Sequence, residues 1–183
     1  MLGIDGTGFS LNSKSEYYSI RSKIKEGKGK KKRRNFLKIV TLVDTESKLI
    51  LDVKGTRMDR NEIKLGETII KRNSDLKCEY IVADKIYDSQ NYHDLAKQNL
   101  GATAIIPVRN LTDKLHRTKG KDRKRLKQEF NKEIYKKRNI CETIFSMIKR
   151  NFTSRLKSKK VKTQNTELLI TLITHNLLVL SSP

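Results

Sequence analysis

The chain has 183 residues, 36% hydrophobic and 33% charged, with 41 Lys and Arg against 20 Asp and Glu for a formal net charge of +21. That length fits one ordinary domain, and the hydrophobic share excludes a disordered basic tail. Two cysteines exclude a disulfide scaffold, and the longest apolar stretch, 168–180, contains His175 and Asn176 and is too short to span a bilayer.

In chain order, residues 2–11 alternate loosely through Leu2, Ile4, Phe9 and Leu11 and predict a strand broken at Gly6 and Gly8. Residues 12–35 turn polar and then heavily basic, which predicts a long loop or an exposed hairpin extension. The β-branched run 36–43 predicts a central strand buried on both faces. A polar turn at 44–47 leads into a partner strand over 48–53. Residues 62–71 place Ile63, Leu65, Ile69 and Ile70 at helical spacing, and 79–83 read as a short buried strand ending at Asp84. Ser89 is placed to cap a helix running to Asn99, and 102–108 supply a further strand. After a very basic stretch, helices are expected over about 132–151 and 166–180. Three strands followed by alternating helices and strands predict an α/β fold with a mixed sheet flanked by helices. That is the order of the ribonuclease-H-like fold.

Cys78 and Cys141 sit among apolar neighbours and are expected as reduced core residues of a soluble cytoplasmic protein, since no signal peptide opens the chain. The charge is clustered. Segments 21–34, 114–138 and 149–162 hold 28 of the 41 basic residues and 4 of the 20 acids, so they carry +24 and leave the other 130 residues at −3. A nearly neutral body with basic patches is the footprint of a polyanion binder, above all a nucleic-acid protein. Solubility alone does not require clustering.

Three acids stand apart from the exposed ones. Asp5 follows the apolar start of the first strand, Asp84 ends a buried strand, and Glu142 lies on a helix in otherwise basic surroundings. Carboxylates at strand ends of a cationic protein are candidate ligands for a hard divalent cation. At 100° per residue with Glu142 at 0°, Arg138 falls at about −40°, Tyr135 at about +20° and Lys149 at about −20°, a single narrow face. Ile134, Cys141, Phe145, Ile148 and Phe152 form an apolar stripe beside it. On geometry alone the Arg138–Glu142 pair could equally be a surface pair worth about 0.3–0.5 kcal/mol.

The run YKKRNICETIFSMIK, Tyr135 to Lys149, keeps a Tyr-(2)-Arg-(3)-Glu-(6)-Lys spacing and resembles the signature of insertion-sequence DDE transposases. IDGTGFS at 4–10 and VADKIYDS at 82–89 are similar to that family's first and second Asp motifs. Asn165, Glu167 and the HNLL at 175–178 are similar to its C-terminal helix. The resemblance implies one ribonuclease-H-like catalytic domain over 1–183, with a basic insertion at about 109–131, that cleaves element ends and transfers strands into target DNA. It implies that Asp5, Asp84 and Glu142 are catalytic and bind two Mg²⁺ ions, for which Mn²⁺ can substitute. It further implies that Tyr135, Arg138 and Lys149 contact the element end.

Asp84 is preferred to Asp88 as the second acid because it directly follows the strand, while Asp44, Asp52 and Asp59 read as turn or surface acids. Lys30, Lys31, Lys32, Arg33 and Arg34 are expected to grip the DNA backbone. His93, His116 and His175 show no ligand spacing. Ile86 stands where the family commonly has glycine, and the family's N-terminal DNA-recognition region is expected to be absent. The chain would then be a split-frame product with an upstream-encoded part as partner, a truncation, or an inactive remnant. A homodimer on DNA in a prokaryotic cytoplasm, associated with the nucleoid, completes the expectation. The alternatives are another ribonuclease-H-like DNA nuclease and a non-catalytic nucleic-acid-binding transposase remnant.

Overall fold

The computed structural model describes residues 1–11, 36–56, 62–109, 112 and 114–181. The expected loop over 12–35, with Lys30 to Arg34, and also Asp59 lie outside these residues. β1 (Leu2–Leu11), β2 (Phe36–Asp44) and β3 (Ile50–Thr56) form an antiparallel meander. β4 (Tyr80–Ala83) and β5 (Thr103–Ile105) extend the sheet in parallel beyond β1, giving the order β3-β2-β1-β4-β5. This is the ribonuclease-H-like arrangement that the element order predicts. A sixth strand absent from that prediction, β6 (Arg155–Leu156), pairs in parallel with Ser10 and Leu11 at the far end of β1.

β1 is not broken at its glycines. Gly6 pairs with Val40 and Gly8 with Lys38 in an uninterrupted ladder to β2. The missing side chains serve close approach instead. A Cβ on Gly6 would stand 2.5 Å from Glu62 Oε1, and one on Gly8 would stand 3.1 Å from the Phe36 ring. β2 is buried on both faces from Leu37 through Val43 save for Lys38, as its β-branched sequence implies. The turn after it is built by Asp44, whose Oδ2 accepts from the Ser47 hydroxyl at 2.6 Å and from the Ser47 N–H at 3.2 Å. Lys48 there takes the left-handed conformation, φ 60°.

Two cores follow from the period-two alternation of the strands. Leu2 and Ile4 of β1, with Val40, Leu42, Ile81 and Ala83, face α1 (Glu62–Arg72) and α2 (Gln90–Leu100). Phe9, with Leu37, Ile39 and Val43, faces α5 (Asn139–Asn151) and α6 (Val161–Ser181). Ser89 caps α2 by accepting from Tyr92 N–H at 3.2 Å, and Gly101 closes it with φ 66°. The basic stretch contributes α3 (Lys121–Gln128).

The helix expected over 132–151 is two helices. α4 (Lys132–Lys136) ends before α5 begins, and 137–141 is tightened by i→i−3 bonds such as Arg138 N–H to Tyr135 C=O at 2.9 Å and Cys141 N–H to Arg138 C=O at 2.9 Å. The apolar stripe therefore divides. Ile134 and Tyr135 pack with Val82, Ile105, Val108 and Leu126, while Cys141, Ile144 and Ile148 pack with Phe9 and Leu37. The last helix starts five residues earlier than the expected Thr166, because buried Gln164 donates to the carbonyls of Ser158 and Lys159 and anchors its first turn. Asn176 then ties α6 to β3, accepting from Ile50 N–H at 2.9 Å and donating to Ile50 C=O at 2.8 Å. Both cysteines are free thiols, Cys141 buried and Cys78 half-buried. Among the described residues no helix is long and apolar enough to cross a membrane.

Candidate active site

Asp5 lies on the β1 face that also carries Gly3, Thr7 and Phe9, the face covered by α5. The parallel register pairs Ile4 with Ala83, so Asp5 and Asp84 each directly follow the last paired residues of two neighbouring strands, and both line one cleft. β4 stops there because the Asp84 carboxylate accepts from Lys85 N–H at 2.7 Å and caps a short 3₁₀ turn, Lys85–Tyr87. Among the described residues only Lys48 combines a side chain with positive φ, so Ile86 sits in that turn without backbone strain. The strand end leaves a crevice of the kind where open α/β sheets place ligands.

α5 supplies the opposite wall of an open cleft of about 800 Å³, lined by Asp5, Asp84, Arg138, Glu142, Lys149 and Arg150 among others. Glu142, in the first turn of α5, is largely exposed to the cleft. Arg138 is mostly buried between the acids, donating through Nη1 to Asp5 Oδ2 at 3.2 Å and through Nη2 to Glu142 Oε1 at 2.6 Å. Its Nε is buried without a partner. Lys149 Nζ donates to Thr7 Oγ1 at 2.6 Å and sits 5.6 Å from the centre of the Phe9 ring.

Asp5 is a poorly solvated carboxylate with other acids nearby. Burial pushes its carboxyl up to about 6, helped by the nearby charges of Glu62 and Asp84, against the lowering effect of Gly6 N–H and Arg138. A divalent cation beside it would favour the charged form, and the donors are the hard oxygens such an ion takes. The donor chemistry of Asp5, Asp84 and Glu142 thus suits such an ion, while the side chains are spread around the cleft. Among the described residues no three acids, imidazoles or thiols converge on one point, and Arg138 stands in the interval between Asp5 and Glu142.

The sequence-predicted residues sort clearly. Asp5, Asp84, Arg138, Glu142 and Lys149 share the cleft. Tyr135 does not line it. Placed on α4, it meets Phe130 edge-on at 5.2 Å and lies under Arg138, whose guanidinium carbon is 5.8 Å from the ring centre. The tight turn at 137–141 removes it from the single helical face expected. Asp88, the alternative to Asp84, is not among the cleft-lining residues, and its buried carboxylate is engaged by Arg123 at 2.6 and 2.8 Å and by Arg109 N–H at 3.0 Å. Asp44 holds its turn and Asp52 binds Arg72 and Asn73, as expected of structural acids. Thr7, Ser146 and Arg150 line the cleft without having been singled out. Thr7 was readable as Asp5 plus two along a strand, and Ser146 as Glu142 plus four along a helix. Glu62, on the reverse face of β1, had no such signal. It binds Lys38 at 2.5 Å and accepts from Tyr87 OH at 3.3 Å.

A ribonuclease-H-like sheet with one acid within its first strand and another just past the end of the neighbouring strand, faced by a helix that carries Glu142, Lys149 and Arg150, defines the class of nucleic-acid phosphoryl-transfer domains. The sequence matches the family described as Transposase DDE domain over residues 2–177, and the chain belongs to that family. The fold is similar to the cryo-EM structure of a piggyBac transposase synaptic complex with hairpin DNA, with a TM-score of 0.61 and 15% identity. That match covers 97% of this chain and 46% of the other, so the chain spans about half that protein's length. No curated protein matches the sequence.

Proposed function

We propose that residues 1–183 form one catalytic domain that cleaves DNA at the ends of a mobile element and joins the freed ends to target DNA. Asp5, Asp84 and Glu142 are its catalytic acids and would hold two divalent cations, Mg²⁺ by preference and Mn²⁺ as substitute. The observation that carries this reading is that Asp5 and Asp84, each following the last paired residues of neighbouring parallel strands, line one cleft with Glu142. Bound cations stabilise the attacking and leaving oxygens of an in-line displacement at phosphorus.

The chain's own residues position the strand. Lys149 and Arg150 on α5 present cations to the phosphates entering the cleft. Arg138 stands beside the acids, where a guanidinium can fork onto a phosphate, and Tyr135 supports it from below. Lys30, Lys31, Lys32, Arg33 and Arg34 add grip on the DNA backbone. Such DNA work belongs in the cytoplasm of a prokaryotic cell, at its nucleoid.

Joining two ends calls for two copies of the chain, and α6 supports a homodimer. Ile170, Ile173, Leu177 and Leu180 are exposed at three- and four-residue spacing, the pattern of a seam between two helices. Sedimentation of the DNA-bound chain and its Leu177→Glu variant tests this, equal masses counting against the seam.

The enzymatic reading is tested with oligonucleotides carrying the element ends, incubated with Mn²⁺. Wild type should cleave and join them, and folded Glu142→Gln should do neither. Equal activity of the two proteins would remove Glu142 from the chemistry.

A further inference from the structure

An Arg–Glu pair four residues apart on a helix is ordinarily a surface pair of little consequence. Arg138 departs from that pattern. Its side chain is 17% exposed, and it joins two acids from different elements, Asp5 on β1 and Glu142 on α5. Each terminal nitrogen is assigned to a different carboxylate, and Nε is sealed off without a partner. Among the described residues no other basic side chain forms an ion pair with Asp5 or Glu142. Lys149, which also lines the cleft, is engaged with Thr7 and Phe9.

The geometry points to Arg138 as the resident counter-cation of the Asp5–Glu142 pair, a latch that competes with divalent cations for the same oxygens and sets how tightly the chain takes them up. This rests on the reading of those acids as cation ligands. Asp5 Oδ2 and Glu142 Oε1 each give a lone pair to the guanidinium, and a hard cation entering between them needs those lone pairs. Arg138 must therefore leave as the cation enters. Once released it remains in the cleft with five donors in a planar fork, suited to a phosphate oxygen pair. The exchange keeps the acids apart and charge-balanced until cation and DNA arrive. Lysine performs it less well, because its ammonium is a point charge on a flexible stem without the planar fork that holds two carboxylates at fixed separation.

The test is Mn²⁺ binding by the full chain without DNA, followed by titration calorimetry and by the paramagnetic signal of free Mn²⁺. Wild type is compared with Arg138→Met, Arg138→Lys and Lys149→Met, and with Asp84→Asn as background. The latch predicts affinity about tenfold tighter or more in Arg138→Met, the scale of losing one direct competing contact. Arg138→Lys should tighten it several-fold even though the charge is kept, which also covers failure of the methionine variant to fold. Lys149→Met removes a charge from the same cleft without freeing an acid and should change affinity by less than about twofold. Arg138 variants that bind Mn²⁺ no tighter than wild type overturn the latch and leave the acid site standing. Equal tightening by Lys149→Met also overturns it, reducing the effect to general repulsion. If no protein binds Mn²⁺ above the Asp84→Asn background, the acid-site reading falls, and the latch with it.

Discussion

Asp88 is held by Arg123 from two directions, Nε to Oδ1 at 2.6 Å and Nη2 to Oδ2 at 2.8 Å, with the carboxylate wholly buried. Arg109 completes the clamp, its N–H on Asp88 and its guanidinium on the carbonyls of Lys85 and Ile86. The turn that follows Asp84 is thereby fixed to the loop after β5 and to α3. Breaking a buried pair leaves an unmatched charge, so Asp88→Ala should cost about 3 kcal/mol, read by chemical denaturation.

The same pair gives a pH dependence. Burial alone would raise the Asp88 carboxyl, but the hydrogen bonds of Arg123 and Arg109 N–H, with the Arg123 charge, hold it below its ordinary value. A carboxyl depressed in the folded state contributes stability that is complete above its unfolded value, about 3.9, and lost as pH falls through the folded one. Wild type should therefore lose stability relative to Asp88→Asn as pH drops below about 4. Parallel melting curves of the two proteins across that window check it, and curves of unchanged separation would contradict the assignment.

Gly6 makes a separate prediction behind the catalytic strand. An added Cβ would press on Glu62 Oε1, and Glu62 has little room to yield because Lys38 and Tyr87 hold it. Gly6→Ala should cost about 1–3 kcal/mol, as overpacking does. Combining it with Glu62→Ala should recover most of the loss, and denaturation midpoints of the four proteins in that cycle decide the matter.

Lys149 and Arg150 should act through phosphate contacts. Each replacement by alanine should lower the slope of log affinity against log salt by about 0.9 on duplex DNA, nearly independent of sequence. Fluorescence anisotropy at several salt concentrations measures it. An unchanged slope in both variants would place the DNA outside the cleft.

Much of this architecture was legible from local chemistry. Ser89 announced its helix by capping, residues 36–43 announced a doubly buried strand by their β-branched run, and Asp5, Asp84 and Glu142 were marked by position. What escaped did so for physical reasons. Gly6 and Gly8 look like strand breakers until the Glu62 and Phe36 side chains that need their space are seen. The junction at 137–141 contains neither proline nor glycine, so no local residue signals that two helices pack on different cores. β6 is two residues long and exists only because β1 offers an unpaired edge beyond the end of β4. Nor could sequence reveal the second bond of Arg138, which spans 133 residues to Asp5.

Asp84 and Asp88 bound one short turn, and the proposed function gives Asp84 to the chemistry and Asp88 to the scaffold. Strand joining in Mn²⁺ by Asp84→Asn and Asp88→Asn, each normalised to its folded fraction, tests this most directly. Asp84→Asn should give no joining and Asp88→Asn measurable joining. Joining by Asp84→Asn at the wild-type rate, or its loss in Asp88→Asn alone, would contradict that division.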